Sequence, residues 1–248
     1  MESSNPTLNS RVFTEARVVG GGQTMTLQGT VNKTLIMFAV LLSTAFWTWS
    51  KAFTPGNQGM LGILFMVGIG GGLVVAIATA FKPTWSPITA PLYAALEGLA
   101  LGLMSALLEA RYPGIVMQAV GLTFGVMMAM LLGYKAGFLQ ATPALRKGLM
   151  IGMIGLLIFY AVVWIAGMFG ITPPGFINGG GPLGIAFSLF VIGLASLSLV
   201  LDFDLIERGS REGLAPYMEW YCSFSLMVTL VWLYVEILRL LSKMNSNK

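Results

Sequence analysis

The 248-residue chain has no histidine, one cysteine and few charges. Each shortage excludes a class of function. Without histidine there is no Ser–His nucleophile pair and no H-E-x-x-H zinc site, and the side chain that ordinarily titrates near neutrality is missing. Any response to pH near neutrality then falls to carboxylates with raised pKa values. The single cysteine, Cys222, forms no disulfide within the chain and no cysteine cluster for zinc. Asp, Glu, Lys and Arg together supply only 10% of the residues, against about a quarter in a soluble domain that must face water. Too few charges remain to coat a globule of this size, so lipid is the solvent for the outer surface.

What is present agrees. Hydrophobic residues make up 56% of the chain and the mean hydropathy is +0.81. Membrane helices carry more glycine than soluble ones and use it for close backbone contact, and there are 31 glycines here. The fold class is therefore all-α, a polytopic helical membrane protein whose partner is the bilayer. The net charge of +4 is modest and spread over loops, which reads as membrane orientation and not as nucleic-acid binding. Seven apolar segments are expected at 33–52, 57–81, 86–109, 113–134, 147–170, 183–204 and 216–241. Breakers separate them: T-P-G-N at 54–57, K-P-T-W-S-P at 82–87, Y-P-G at 112–114, A-T-P at 141–143 and the Gly/Pro linker at 171–182. The domain division is a polar tail over 1–30, a seven-span membrane domain over 31–243 and a short polar tail over 244–248. Residues 5–17 read equally as a short surface helix and as a flexible tail. They carry no signal-peptide apolar region, which leaves the first span as the signal anchor. That and the compact loops fit a bacterial inner membrane, with an organelle membrane as the alternative.

Lys and Arg outside the apolar cores set the orientation. With the N-terminus inside, the inner segments hold nine: Arg11, Arg17, Lys33, Lys82, Lys135, Arg146, Lys147, Arg208 and Arg211. The outer segments hold five: Lys51, Arg111, Arg239, Lys243 and Lys248. The bias predicts a cytoplasmic N-terminus, with the basic C-terminal end pulling the other way.

Chemistry is expected where a carboxylate enters an apolar span, because an acid at the bilayer centre costs about 2.5–3.5 kcal/mol and normally faces protein or water. Glu97 is the deepest, about ten residues into the third span, with Ala94, Ala95, Gly98 and Gly102 around it. Its blander reading is a protonated carboxyl making one interhelical hydrogen bond. Glu236 has Arg239 three residues later, so a local ion pair competes with a functional role. Glu219 begins the last span, where a carboxylate also suits the positive end of the helix dipole. Asp202 and Asp204 point to roughly opposite sides of the sixth span, and Asp204 shares a face with Glu207. A short loop separates the sixth and seventh spans, so Asp204 is placed to meet Glu219 across the two helices. Such a pair titrates jointly and can bind Ca²⁺ or hold a shared proton, which makes Asp204 and Glu219 the candidate metal ligands. A cavity gathering these acids would attract cations. No span shows a hydrolase or nucleotide motif: G-I-G-G-G at 68–72 lacks a following Lys-Ser/Thr and reads as helix packing. No enzyme activity and no cofactor are expected.

Three stretches carry a resemblance: Y-A-A-L-E-G-L-A-L-G in the third span, D-F-D-L-I-E-R-G ending the sixth, and Y-M-E-W-Y through W-L-Y-V-E-I-L-R-L-L in the seventh. Together with the span count, from about residue 24 to 243, they are similar to the Bax inhibitor-1 family, and M-T-L-Q-G-T-V-N-K-T resembles a bacterial branch of it. The resemblance implies a seven-helix bundle with a central last helix. It also implies a pH-dependent Ca²⁺ leak gated by an aspartate pair between the sixth and seventh spans. Asp204 matches the sixth-span aspartate. For its partner, the motif L-Y-V-E-I selects Glu236, an ungapped match falls near Met227, and geometry favours Glu219. Lys82 is the counterpart of the family's basic latch, with Arg239 a second candidate. Two functions are thus open: a pH-sensitive Ca²⁺ or cation leak channel, expected as a monomer, and a non-transporting regulator that binds another membrane protein such as a membrane-anchored protease.

Overall fold

The computed structural model describes Ala16 and residues 22–54, 56–170, 172, 174–175 and 179–246. Residues 5–15 and most of the 171–178 linker lie outside these. Seven long helices are present: α1 (Leu27–Ala52), α2 (Gln58–Phe81), α3 (Ser86–Arg111), α4 (Ile115–Lys135), α5 (Pro143–Met168), α6 (Pro182–Arg211) and α7 (Tyr217–Asn245). All seven are long and apolar enough to cross a membrane, and the described residues contain no strand. The chain is an all-α, multi-pass integral membrane protein.

Helix ends follow local chemistry. α1 starts six residues before its apolar stretch because Thr26 caps it, the Thr26 side chain accepting from the Gly29 amide. Within A-T-P, Thr142 is the N-cap of α5 and accepts from the Leu145 amide. Pro143 then takes the first helical position, where its missing N–H costs nothing. α6 continues to Arg211, well past its apolar run. Ion pairs one turn apart, Asp204–Arg208 and Glu207–Arg211, support that polar extension.

The helices divide into two compact units: residues 1–111 with 202–228, and residues 112–201 with 229–248. In the first, α3 packs on α1 through Gly98 and Gly102. A β-carbon at Gly98 would collide with the Leu41 carbonyl and Thr44, and one at Gly102 with the Ala45 carbonyl and Thr48. α2 approaches α3 through its own glycines. A β-carbon on Gly68 would lie 2.8 Å from the Leu96 carbonyl, and one on Gly71 would lie 3.3 Å from the Leu96 side chain. The G-I-G-G-G stretch is thus a helix-packing surface, as expected where dispersion replaces the hydrophobic effect between helices. Tyr93 of α3 meets Phe224 of α7 edge-on, with ring centroids 5.1 Å apart.

In the second unit Phe159 and Tyr160 of α5 pack against Phe187 of α6, and Gly152 makes room for Leu194. Lys243 is buried and donates to the Gly184 carbonyl (3.1 Å) and Ser188 Oγ (2.9 Å) of α6. Large apolar side chains such as Ile63, Val74, Leu157 and Trp164 are exposed along α2 and α5. In a bilayer that surface meets acyl chains.

Candidate functional site

The acids that the sequence singles out lie on three helices, and each has its own surroundings. Asp202 and Asp204 diverge, as their spacing dictates. Asp202 is on the buried side of α6 and is itself buried, with Oδ1 accepting a 2.6 Å hydrogen bond from Ser225 Oγ of α7. Asp204 points elsewhere and is bound by Arg208 one turn later. Glu207 pairs in the same way with Arg211. Asp202 is thus an α6 acid with a direct hydrogen bond to α7.

Glu219, in the first turn of α7, is 6% exposed and reaches across to the start of α1. Its Oε1 accepts from the Thr26 amide at 2.8 Å and from Thr26 Oγ1 at 3.0 Å, and its Oε2 pairs with Lys33. Gly29 leaves the room for this, since a β-carbon there would occupy the place of the carboxylate. Glu219 thus sits over the exposed amides of a helix N-terminus, where negative charge is favoured. Lys33 also lies over the Trp220 ring, 5.6 Å from its centroid. Asp204 and Glu219, expected to meet across α6 and α7, have Arg208 and Lys33 as their ion-pair partners.

In the second unit Glu236 is buried and accepts from Arg239 Nη1 at 2.8 Å, three residues later on the same helix. Arg239 donates also to Tyr160 Oη of α5 at 3.2 Å. In the first unit Glu97 hydrogen-bonds the Tyr93 hydroxyl one turn earlier on α3. Gly72 of α2 makes a notch for the Glu97 carboxyl: a β-carbon at Gly72 would lie 3.0 Å from Oε1. Lys82 stacks over the Trp85 ring at 4.5 Å, at the break between α2 and α3. No group of three or more Asp, Glu, His or Cys among the described residues is arranged to hold a metal ion.

Sequence reading did not find Ser225, Thr26, Lys33 or Tyr93 as partners. Tyr93 had a usable signal, a polar tip one helical turn from Glu97. Ser225 and Thr26 had none, because only the fold brings them to their acids.

A family model described as Bax inhibitor 1 like matches residues 5–246. The chain belongs to the Bax inhibitor 1 like family. No curated protein and no solved structure matches it. Its seven helices long and apolar enough to cross a membrane agree with a multi-pass membrane protein of this family. The three quoted stretches that carry the resemblance lie within the matched residues and place Glu97, Asp202, Asp204, Glu219 and Glu236 on α3, α6 and α7.

Proposed function

We propose that this Bax inhibitor 1 like protein is a pH-sensitive leak channel for cations, with Ca²⁺ as permeant ion. In this reading the N-terminus is cytoplasmic, the membrane is a bacterial inner membrane, and the chain performs no catalysis. The observation that carries the reading is the Asp202–Ser225 hydrogen bond, which places a buried carboxyl between α6 and α7. A carboxyl held by a neighbouring hydroxyl on another helix can change its charge without leaving its place, and a charged form attracts a cation. Asp202 then takes the gating role expected of the sixth-span acid, and Asp204 sets the charge of the helix end. Glu97, with Tyr93, is a second titrating carboxyl at membrane depth. Glu219 and Glu236 act mainly through their ion pairs.

A second reading, a non-transporting regulator of another membrane protein such as a membrane-anchored protease, is favoured by those same pairs. Asp204, Glu207, Glu219 and Glu236 each have a basic partner on the protein, as acids of structural use would. Ca²⁺ entry into proteoliposomes, stepped across neutral pH, separates the two. The channel reading expects flux that depends on pH in the wild type, loses that dependence in Asp202→Asn and keeps it in Asp204→Asn. Flux no greater than that of empty liposomes at every pH would move the assignment to the regulator.

A further inference from the structure

The end of α6 and the start of α7 are joined by the turn at 212–216, with Gly213 at φ +67. Met25, two residues before α1, and Ala16 both pair with that turn. The Met25 amide donates to the Leu214 carbonyl at 2.7 Å, and the Ala215 amide donates to the Ala16 carbonyl at 2.7 Å. Met25 and Ala16 are each 1% exposed and share one apolar cluster with Leu205, Leu214, Met218, Tyr221 and Cys222. Gly209 of α6 makes room for the methionine: a β-carbon there would lie 2.7 Å from Met25 Sδ. The next residue, Thr26, binds Glu219 through both its amide and its hydroxyl. Backbone pairing, a buried side chain and a carboxylate clamp therefore act together on a few residues. A chain segment that only led into a helix would need none of them.

Position gives these contacts a consequence. Leu205 of α6 and Cys222 of α7 belong to the same buried layer as Met25. Asp202 and Ser225 lie three residues further along α6 and α7, one helical turn or about 5 Å beyond that layer. We propose that Ala16 and Met25–Thr26 belong to a strap that closes this end of the α6–α7 pair over Asp202, and that release of the strap opens the leak. The proposal rests on the channel reading for its second half only. Closure of the strap can be read without any flux, because Cys222 is the sole cysteine and lies fully buried in the apolar cluster that Met25 completes.

The test measures maleimide labelling of Cys222 and Ca²⁺ flux on the same full-length proteoliposome preparations. Met25→Ala removes the buried side chain and Met25→Leu restores apolar volume. Labelling in Met25→Ala is expected to rise on the order of a hundredfold, the change that follows from deleting a buried side chain of this size. It returns towards wild type in Met25→Leu, and flux rises in parallel with labelling. In a Cys222→Ser background, Met25→Cys with Gly209→Cys should cross-link on oxidation, suppress flux, and recover it on reduction. Labelling that stays at the wild-type rate in Met25→Ala overturns the strap. Faster labelling with unchanged flux, or flux indifferent to the cross-link, overturns its gating role. Absence of flux from every preparation removes the channel reading and the gating role with it, while the labelling still decides whether the strap closes this end. Should Met25→Ala fail to fold, the reversible cross-link alone decides.

Discussion

Glu219 and Lys33 allow the site energetics to be tested one pair at a time. Glu219 accepts two hydrogen bonds from Thr26 and pairs with Lys33, with side-chain exposures of 7% for the glutamate and 22% for the lysine. Breaking a buried ion pair by removing one partner costs about 3–5 kcal/mol, because the other charge is left without compensation. A hydrogen bond to a charged group contributes about 1.5–3 kcal/mol. Lys33 keeps some access to water, so its charge is partly solvated when the partner is lost, and the lower end of these ranges applies. Glu219→Ala, which loses both Thr26 hydrogen bonds but leaves only the partly solvated Lys33, should therefore cost about 3 kcal/mol. Lys33→Met, which leaves the buried Glu219 carboxylate with its Thr26 hydrogen bonds but no counter-charge, should cost about 3 kcal/mol as well. The Thr26 hydrogen bonds survive in Lys33→Met but not in Glu219→Ala, so the two losses overlap only in the ion pair. A coupling energy of about 1–2 kcal/mol is expected from the double-mutant cycle. The assay is equilibrium unfolding in mixed micelles followed by tryptophan emission, to which Trp220 contributes directly because Lys33 lies over its ring. Coupling below about 0.5 kcal/mol would mean additive, independent side chains. It would refute the claim that this pair ties α1 to α7.

The glycine packing and the buried Lys243 give two more expectations. Gly98→Ala drives a methyl into the Leu41 carbonyl and Thr44 and should destabilise by about 1–3 kcal/mol, whereas Gly70→Ala, with nothing within 4 Å, should be neutral or stabilise by up to about 1 kcal/mol through helix propensity. Unfolding in the same micelles checks the opposite signs, and equal effects at the two positions would discard the glycine account of α1–α3 contact. At Lys243, Met substitution keeps the buried stem while Ala leaves a cavity, so the Met variant should cost less than about 1 kcal/mol and the Ala variant about 2–4 kcal/mol. Equal losses would show that the hydrogen bonds to Ser188 and Gly184, and not the stem, hold α6 to α7.

The spans were legible in the sequence because length and apolarity decide them, and apart from the start of α1 and the end of α6 the helices end within about four residues of the expected limits. Two starts shifted through capping chemistry already visible in the chain, Thr26 before α1 and Thr142-Pro143 before α5, and the end of α6 shifted along the Asp204–Arg208 and Glu207–Arg211 pairs. The acids were legible too, since charge is scarce enough for each carboxylate to stand out. Spacing offered the Glu236–Arg239 pair on one helix as one of two readings, and that pair forms.

Pairs between helices did not follow, and α6 shows why. In a soluble helix the polar side marks solvent, so the inward face can be read from the pattern. From Leu183 to Leu201 α6 is apolar all round, and lipid and protein faces look alike. Nothing in that run tells whether Asp202 or Asp204 turns towards α7. The contacts show the outcome: Asp202 accepts from Ser225 of α7, while Asp204 pairs with Arg208 on its own helix. The neighbour that receives Asp202 is then fixed by the short 212–216 turn, which sets the register of α7 and brings Ser225 opposite. The same turn carries Leu214 and Ala215, to which Met25 and Ala16 bind. A change in its length would therefore shift the Asp202–Ser225 contact and the strap together. One inserted residue after Gly213 should uncover Cys222 to maleimide and weaken the pH dependence of flux in the same protein, whereas an insertion in the 136–141 loop should do neither.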